Sequence, residues 1–197
     1  MSVTRARSDE SESTDGRVQR SLRSRQQIAD ALAELVEGGE LMPTAEQVAL
    51  RAGVGLRTVF RHFQDMETLY AEVSARIQGS FRELVQDEVS GTVAERVRRL
   101  VGQRAGLFEA VAPFKRSEAL RRWSSPYLRQ SHAEMVRDLR QHLKRGLPET
   151  DAVSGDRQAA LELLSSFEAW DRLRHQQGLS RERAEALVSE AVLTLLG

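Results

Sequence analysis

Cysteine is absent from the 197 residues. That excludes a disulfide framework, a thiolate zinc site and any cysteine nucleophile, and it fits a reducing compartment. Long apolar runs are missing too. None approaches the roughly 20 residues that a membrane span needs, and the first twenty residues, MSVTRARSDESESTDGRVQR, lack the apolar centre of a signal peptide. No membrane association and a cytoplasmic location are the expectations. Charge of one sign is not in excess: 29 Lys+Arg balance 29 Asp+Glu, so any affinity for nucleic acid must come from local placement of charge. Period-two alternation, internal repeats and a glycine-rich phosphate loop are all lacking.

What is present is helical periodicity. Residues 1–20 carry only Val3 and Val18 as sizeable apolar side chains and read as a disordered arm. Leu22, Ile28, Leu32, Leu35 and Val36 then follow three- and four-residue steps up to Gly38-Gly39. Thr44 with Gln47 is a capping-box pair that opens a short helix to about Arg51. A second short helix is predicted over about Leu56–His62, and Asp65 caps a longer one from Met66. Downstream, Thr92 and Glu95 cap a helix with an inner face of Val97, Leu100, Val101, Phe108 and Val111, interrupted at Pro113. Ser125-Pro126 starts another. Two last helices, about Asp156–Gln177 and Arg181–Leu196, are joined by Gly178-Leu179-Ser180, a link short enough to make them antiparallel neighbours. The predicted fold is all-α: a helix-turn-helix unit over 21–70, then a larger helical domain over 71–197.

The informative stretch is Thr44–Phe63, TAEQVALRAGVGLRTVFRHF. A helix-turn-helix crosses two short helices over a tight turn. Ala49 is small where the second helix must pass close, Gly53 suits the left-handed backbone of the turn, and Val48, Val54 and Val59 are the apolar lock. Gly55, Leu56, Arg57, Thr58, Arg61 and His62 are left to start the second helix or to face outward. The window holds three arginines and one acid inside a neutral chain. An ordinary helical hairpin with a glycine turn is the competing reading; the helix before it and the capped helix after Phe63 favour a three-helix DNA-binding unit.

Residues 28–70, IADALAELVEGGELMPTAEQVALRAGVGLRTVFRHFQDMETLY, resemble the DNA-binding domain of TetR-family transcriptional regulators. That pattern runs from a helix with apolar steps through a Thr-led helix to Ala-Gly-Val-Ser-x-x-Thr-Leu-Tyr-x-His-Phe and a capped fourth helix. Three positions depart from it: Gly55 stands for the usual Ser cap, Phe60 for Tyr and Met66 for Lys. The resemblance implies a homodimer on a near-palindromic double-stranded DNA operator, more often repressing than activating, with the final helix pair as dimer interface around a variable ligand pocket. By position, Thr44 is expected at a phosphate, Arg57 and Thr58 at base edges, and Arg61 and His62 at base or backbone. Arg17, Arg20, Arg23 and Arg25 are expected to add phosphate contacts.

In the larger domain Arg104 falls on an apolar face, where an unpaired charge is costly. It either meets an anionic effector or is neutralised by snorkelling or by an acid such as Glu168. Phe108, Trp123, Met135, Phe167 and Trp170 are the candidate lining of a pocket for a small, mostly apolar effector. His132 and His142 miss the spacing of a shared metal site, and neither a metal nor a cofactor is expected. Leu161, Leu164, Leu187, Val188, Ala191, Val192 and Leu195 suit a symmetric partner, with Leu163 turned inward. No catalytic residue is expected. A helical-bundle enzyme lacks every nucleophile, phosphate-loop and metalloprotease motif, and an interaction module without DNA binding leaves the basic helix face unexplained.

Overall fold

The computed structural model describes the backbone of residues 6–84 and 90–197, and the side chains of residues 16–79 and 90–197. All regular structure among them is helical: α1 (Ala6–Glu37), α2 (Ala45–Arg51), α3 (Leu56–His62), α4 (Met66–Leu84), α5 (Val93–Arg122), α6 (Pro126–Gly146), α7 (Gly155–Leu164), α8 (Phe167–Asp171) and α9 (Arg181–Leu196). The chain divides into two compact units between Val73 and Ser74, inside α4.

The first unit packs α1, α2 and α3 against one another. Its core is Ile28, Leu32, Val36, Val48, Val59, Phe63, Leu69 and Tyr70, each at most 2% exposed. Full burial of one such side chain is worth about 1.5–3 kcal/mol, so this cluster holds three short or partly exposed helices together. Gly39, at φ 97°, ends α1 in a left-handed turn that lets the Glu40 amide reach back to the Leu35 carbonyl at 3.0 Å. The helix starts earlier than the expected arm allows. It runs from Ala6, because Ser, Glu and Arg extend a helix already nucleated at Ile28–Val36 without needing a core of their own. Residues 1–5 lie outside the described residues.

The second unit is layered on α5. One cluster joins Phe108 and Ala112 of α5 to Met135 and Leu139 of α6, Phe167 and Trp170 of α8 and Ala184 of α9. Another joins Val97, Leu100 and Val101 to Leu143, Leu147, Leu161, Val188 and Val192. One predicted break is absent and one unpredicted break is present. The helix carrying Pro113 continues unbroken from Val93 to Arg122: one backbone bond is lost there, but Val111, Ala112 and Phe114 on either side are buried, and their packing holds the helix through it. The helix expected over Asp156–Gln177 breaks instead at Ser165-Ser166. Ser165 Oγ folds back onto the Leu161 carbonyl at 2.6 Å, while Ser166 Oγ caps α8 by accepting from the Ala169 amide at 3.2 Å. A π-helical turn, Arg172–Gln176, then leads to Gly178 and α9. No described helix is long and apolar enough to cross a membrane.

Candidate nucleic-acid interface

The interface is built from the α2 cap upward. Thr44 Oγ1 accepts from the Gln47 amide at 3.3 Å, and the Gln47 side chain accepts from the Thr44 amide at 2.8 Å. Both partners of the capping box are present, and the threonine hydroxyl keeps its own proton to donate outward. At the other end of α2 the Gly53 amide bonds the Leu50 carbonyl and the Val54 amide bonds the Ala49 carbonyl at 3.0 Å. Gly53 has φ 65°, so the turn between the two helices depends on its left-handed backbone. Gly55 caps α3 with no side-chain bond.

Only Val59 of α3 is buried, and with Phe63 just beyond it anchors the helix. The opposite side is open. Arg57 and Arg61 are exposed and Thr58 is half-buried; Leu56 and Phe60 are 37% and 48% exposed. The exposed side chains therefore combine two cations, a hydroxyl and two apolar groups, a set able to meet guanine edges, phosphates and thymine methyls. Arg23, with Arg17 and Arg20, is exposed on α1.

Arg25 departs from expectation. Its Nε and Nη2 grip Glu72 Oε2 at 3.2 and 2.8 Å, and Nη1 donates to the His62 carbonyl at 2.8 Å. The guanidinium also lies 4.4 Å from the centre of the Phe63 ring. It braces the C-terminus of α3 against α1 and α4 rather than standing free for a phosphate. Its neighbour His62 has a buried Nε2 with no hydrogen-bond partner among the described residues. Burial, helped by the charges of Arg61 and Arg25, lowers the His62 pKa below its ordinary value. At neutral pH this ring is uncharged and fills space beside the brace.

In the second unit the candidate ligand residues divide. Phe108, Met135, Phe167 and Trp170 do converge, with Phe108 and Phe167 edge-to-face at 5.7 Å. Glu109 accepts from Trp170 Nε1 at 2.9 Å and from Arg174 Nε at 2.6 Å, which fixes the indole. Trp123 does not join them: it caps α5 and is 78% exposed, because the helix that Pro113 fails to break carries it past the core. Arg104 is buried but neither snorkels nor pairs with Glu168. Nη1 donates to the Ser165 carbonyl at 2.6 Å, Nη2 to the Leu139 carbonyl at 2.5 Å, and Nε faces His142 Nδ1 at 3.4 Å. Burial pulls its pKa down to about 9. Glu168 instead faces Arg122 and His132 at 3.9 and 3.7 Å. The sequence reading missed the buried Lys115–Glu118 ion pair; its signal was the i, i+3 spacing of opposite charges on the stripe of Val111 and Phe114. Among the described residues no group of His, Asp and Glu is placed to hold a metal ion.

No family model and no curated protein matches the sequence. Solved structures do. A transcriptional regulator from Rhodococcus sp. Rha1 superposes with a TM-score of 0.69 at 21% identity, over 87% of this chain and 95% of its own. A TetR transcriptional regulator from Rhodococcus sp. RHA1 gives 0.54 at 23% identity, over 89% and 96%. The multidrug binding protein EbrR, complexed with imidazole, gives 0.55 at 20% identity, over 85% and 93%. The fold is that of the TetR regulators.

Within this TetR fold the last helices carry an exposed apolar face in the second unit. Ala160, Leu163, Leu187, Ala191 and Leu195 line a shallow groove along α7 and α9, with Leu163 65% and Leu187 41% exposed. This reverses part of the sequence reading. Leu161, Val188 and Val192, expected to face a partner, are core residues, and Leu163, expected inside, points out. One helical step decides which leucine faces α5, and the break at Ser165 sets that phase.

Proposed function

We propose that this protein is a homodimeric DNA-binding transcriptional regulator that binds an operator through α3 and responds to a small molecule through its larger unit. The observation that carries the reading is the α3 surface. A helix anchored by Val59 and Phe63 and braced by Arg25 presents Arg57 and Arg61 outward from an otherwise charge-balanced chain. Thr44 donates its hydroxyl to a phosphate, Arg57 and Thr58 read base edges, and Arg61 sits at the rim. Phe60 contributes an apolar contact in place of a phosphate-reaching hydroxyl, and Gly55 and Leu56 bring the start of α3 close to the groove. Arg23 adds charge from α1.

A single helix of this length reads only a few base pairs, so useful selectivity needs two at a spacing that matches successive major grooves. A second copy of the chain packed on Leu163, Leu187 and Ala191 supplies the other, which is why the operator is expected to be near-palindromic. Repression, relieved when a mostly apolar effector binds among Phe108, Met135, Phe167 and Trp170, is the regulatory mode we infer. These side chains fill their own space: the cavity beside Met135 and Leu139 is about 40 Å³. An effector therefore has to part them, and it shifts DNA affinity only by its preference for the parted state.

The test is binding to duplex DNA from around the protein's own gene. Fluorescence anisotropy should show salt-sensitive binding that Arg57→Ala weakens by about 1–3 kcal/mol while relaxing selectivity at one position per half-site. An Arg57→Ala protein with unchanged affinity and selectivity removes α3 as the reading helix.

A further inference from the structure

Arg104 is a buried cation whose bonds all go to neutral groups. The Ser165 and Leu139 carbonyls and His142 Nδ1 take three of its donors, and a guanidinium has five N–H groups. None of its bonds goes to a carboxylate, and the nearby acids are committed elsewhere: Glu162 pairs with Arg140 at 2.7 Å, and Glu168 faces Arg122 and His132. Two backbone carbonyls solvate the charge without cancelling it, and a desolvated charge left uncancelled is costly.

The space beside it matches a missing counter-ion. Arg104, Met135, Val136, Leu139, Leu143, Ser165 and Ser166 line the cavity of about 40 Å³, together with the Arg140–Glu162 ion pair and Glu168. A water needs about 10–15 Å³, so the void takes a group of roughly three heavy atoms. Arg104 also borders a second small void with Phe108 and Trp170, which connects the charge to the apolar cluster. Hydroxyl-bearing Ser166 stands on the cavity wall, and Met135, Val136, Leu139 and Leu143 supply its apolar part.

We propose that Arg104 anchors a carboxylate effector, the carboxylate seated on the guanidinium and the apolar tail parting Met135 and the Phe108–Trp170 cluster. This rests on the reading of the larger unit as ligand-responsive and names the class of ligand it takes. A charge-assisted pair is about twice as strong as a neutral hydrogen bond, so the carboxylate competes with the carbonyls that now hold the arginine. One of those is the Ser165 carbonyl, freed by the break between α7 and α8. Ligand and helix break share one guanidinium, and α7 carries Leu163, on the surface proposed for the partner subunit. Loosening Ser165 releases α7 to shift, which is how binding in the core reaches the dimer face.

The experiment uses the full chain in a Trp123→Phe background, so that emission comes from Trp170 alone. Octanoate and benzoate are titrated beside their uncharged amides, octanamide and benzamide, and binding is read by Trp170 emission and by calorimetry. The carboxylates should bind at least about tenfold more tightly than the amides, a factor worth about 1.4 kcal/mol. Arg104→Met should abolish that preference. Because Arg104→Met also loses the bonds at Ser165, Arg104→Lys serves as the second variant: it keeps the charge and should keep part of the preference. Amides that bind as well as carboxylates overturn the proposal, as does a panel in which no carboxylate binds. Neither result touches the DNA reading, which is measured separately by operator binding of the same protein.

Discussion

Replacing Arg25 by Ala separates a brace from a phosphate contact. The substitution removes the two bonds to Glu72, the bond to the His62 carbonyl and the stacking on Phe63. The ion pair is partly exposed, at 39% and 28%, and such pairs contribute about 0.2–1 kcal/mol. A charged donor on a carbonyl adds about 1.5–3 kcal/mol, and a partly exposed cation over a ring about 0.5–1 kcal/mol. These overlap in one side chain, so the expected loss is about 2–3 kcal/mol in the first unit. Hydrogen exchange reads it locally: amides of α3 and of Ile28–Val36 should exchange about 30- to 150-fold faster. Arg23→Ala is the control. It should leave exchange unchanged and lower the salt slope of DNA binding by about 0.9, the share of one phosphate contact. If Arg25→Ala behaves like Arg23→Ala, with normal protection and only a reduced salt slope, the brace is wrong.

Three further perturbations follow from the same geometry. The double variant Leu163→Glu with Leu187→Glu should give folded monomers in light scattering that no longer bind operator, whereas Val188→Glu should unfold the second unit because Val188 is core; a folded, dimeric double variant refutes the interface. His132 has its pKa lowered to about 4 by burial and by Arg122 and Lys115, against the opposing charge of Glu168. Its folded-state value lies below the unfolded one, so the stability it contributes is present above about pH 6.5 and lost as pH falls toward 4, by at most about 3 kcal/mol. His132→Phe should therefore narrow the difference in melting temperature between pH 7 and pH 5, and an unaltered difference shows that other groups set it. Gly53→Ala, at φ 65°, should cost about 1 kcal/mol or more of first-unit stability in urea unfolding, and an unchanged midpoint means that the turn relaxes.

Local signals in the sequence located the helix starts well. Thr44, Asp65, Thr92 and Ser125 each cap the helix predicted for them, because a cap is a bond between residues two or three apart and needs nothing from the rest of the chain. The turn at Gly53 was legible for the same reason. What failed depended on distant partners. Pro113 is a helix breaker by local rule, and only the burial of its neighbours overrides that. The break at Ser165 needs a donor for its carbonyl, and the donor, Arg104, lies 61 positions away. Once that break is misplaced, the phase of α7 is wrong, and Leu161 and Leu163 exchange faces. In the sequence Arg25 is one of several like arginines in a basic arm, and only Glu72 and the His62 carbonyl beside it set it apart. Trp123 is a pocket candidate by residue type alone, and nothing near it in the chain marks the end of α5.

The long first helix makes one element with two lifetimes. Ile28, Leu32 and Val36 tie its C-terminal half to the first unit, whereas Arg17, Val18, Gln19, Arg20, Ser21, Leu22 and Arg23 are all exposed. At about 1.5 Å per residue the element is roughly 48 Å long, far more than the unit needs to close its core. Among the described residues of the outer stretch Arg20 Nε donates to the Gly16 carbonyl at 3.0 Å, a bond within the helix, so the stretch rests on local bonds and on continuity with the anchored turns, and it opens and closes at little energetic cost. A bound duplex that presents phosphates to Arg17, Arg20 and Arg23 would draw those turns into the closed state. Part of the enthalpy of operator binding would then be helix formation, and calorimetry on a chain shortened to begin at Ser24 would show the binding enthalpy falling by that amount while the recognition helix still reads the same bases.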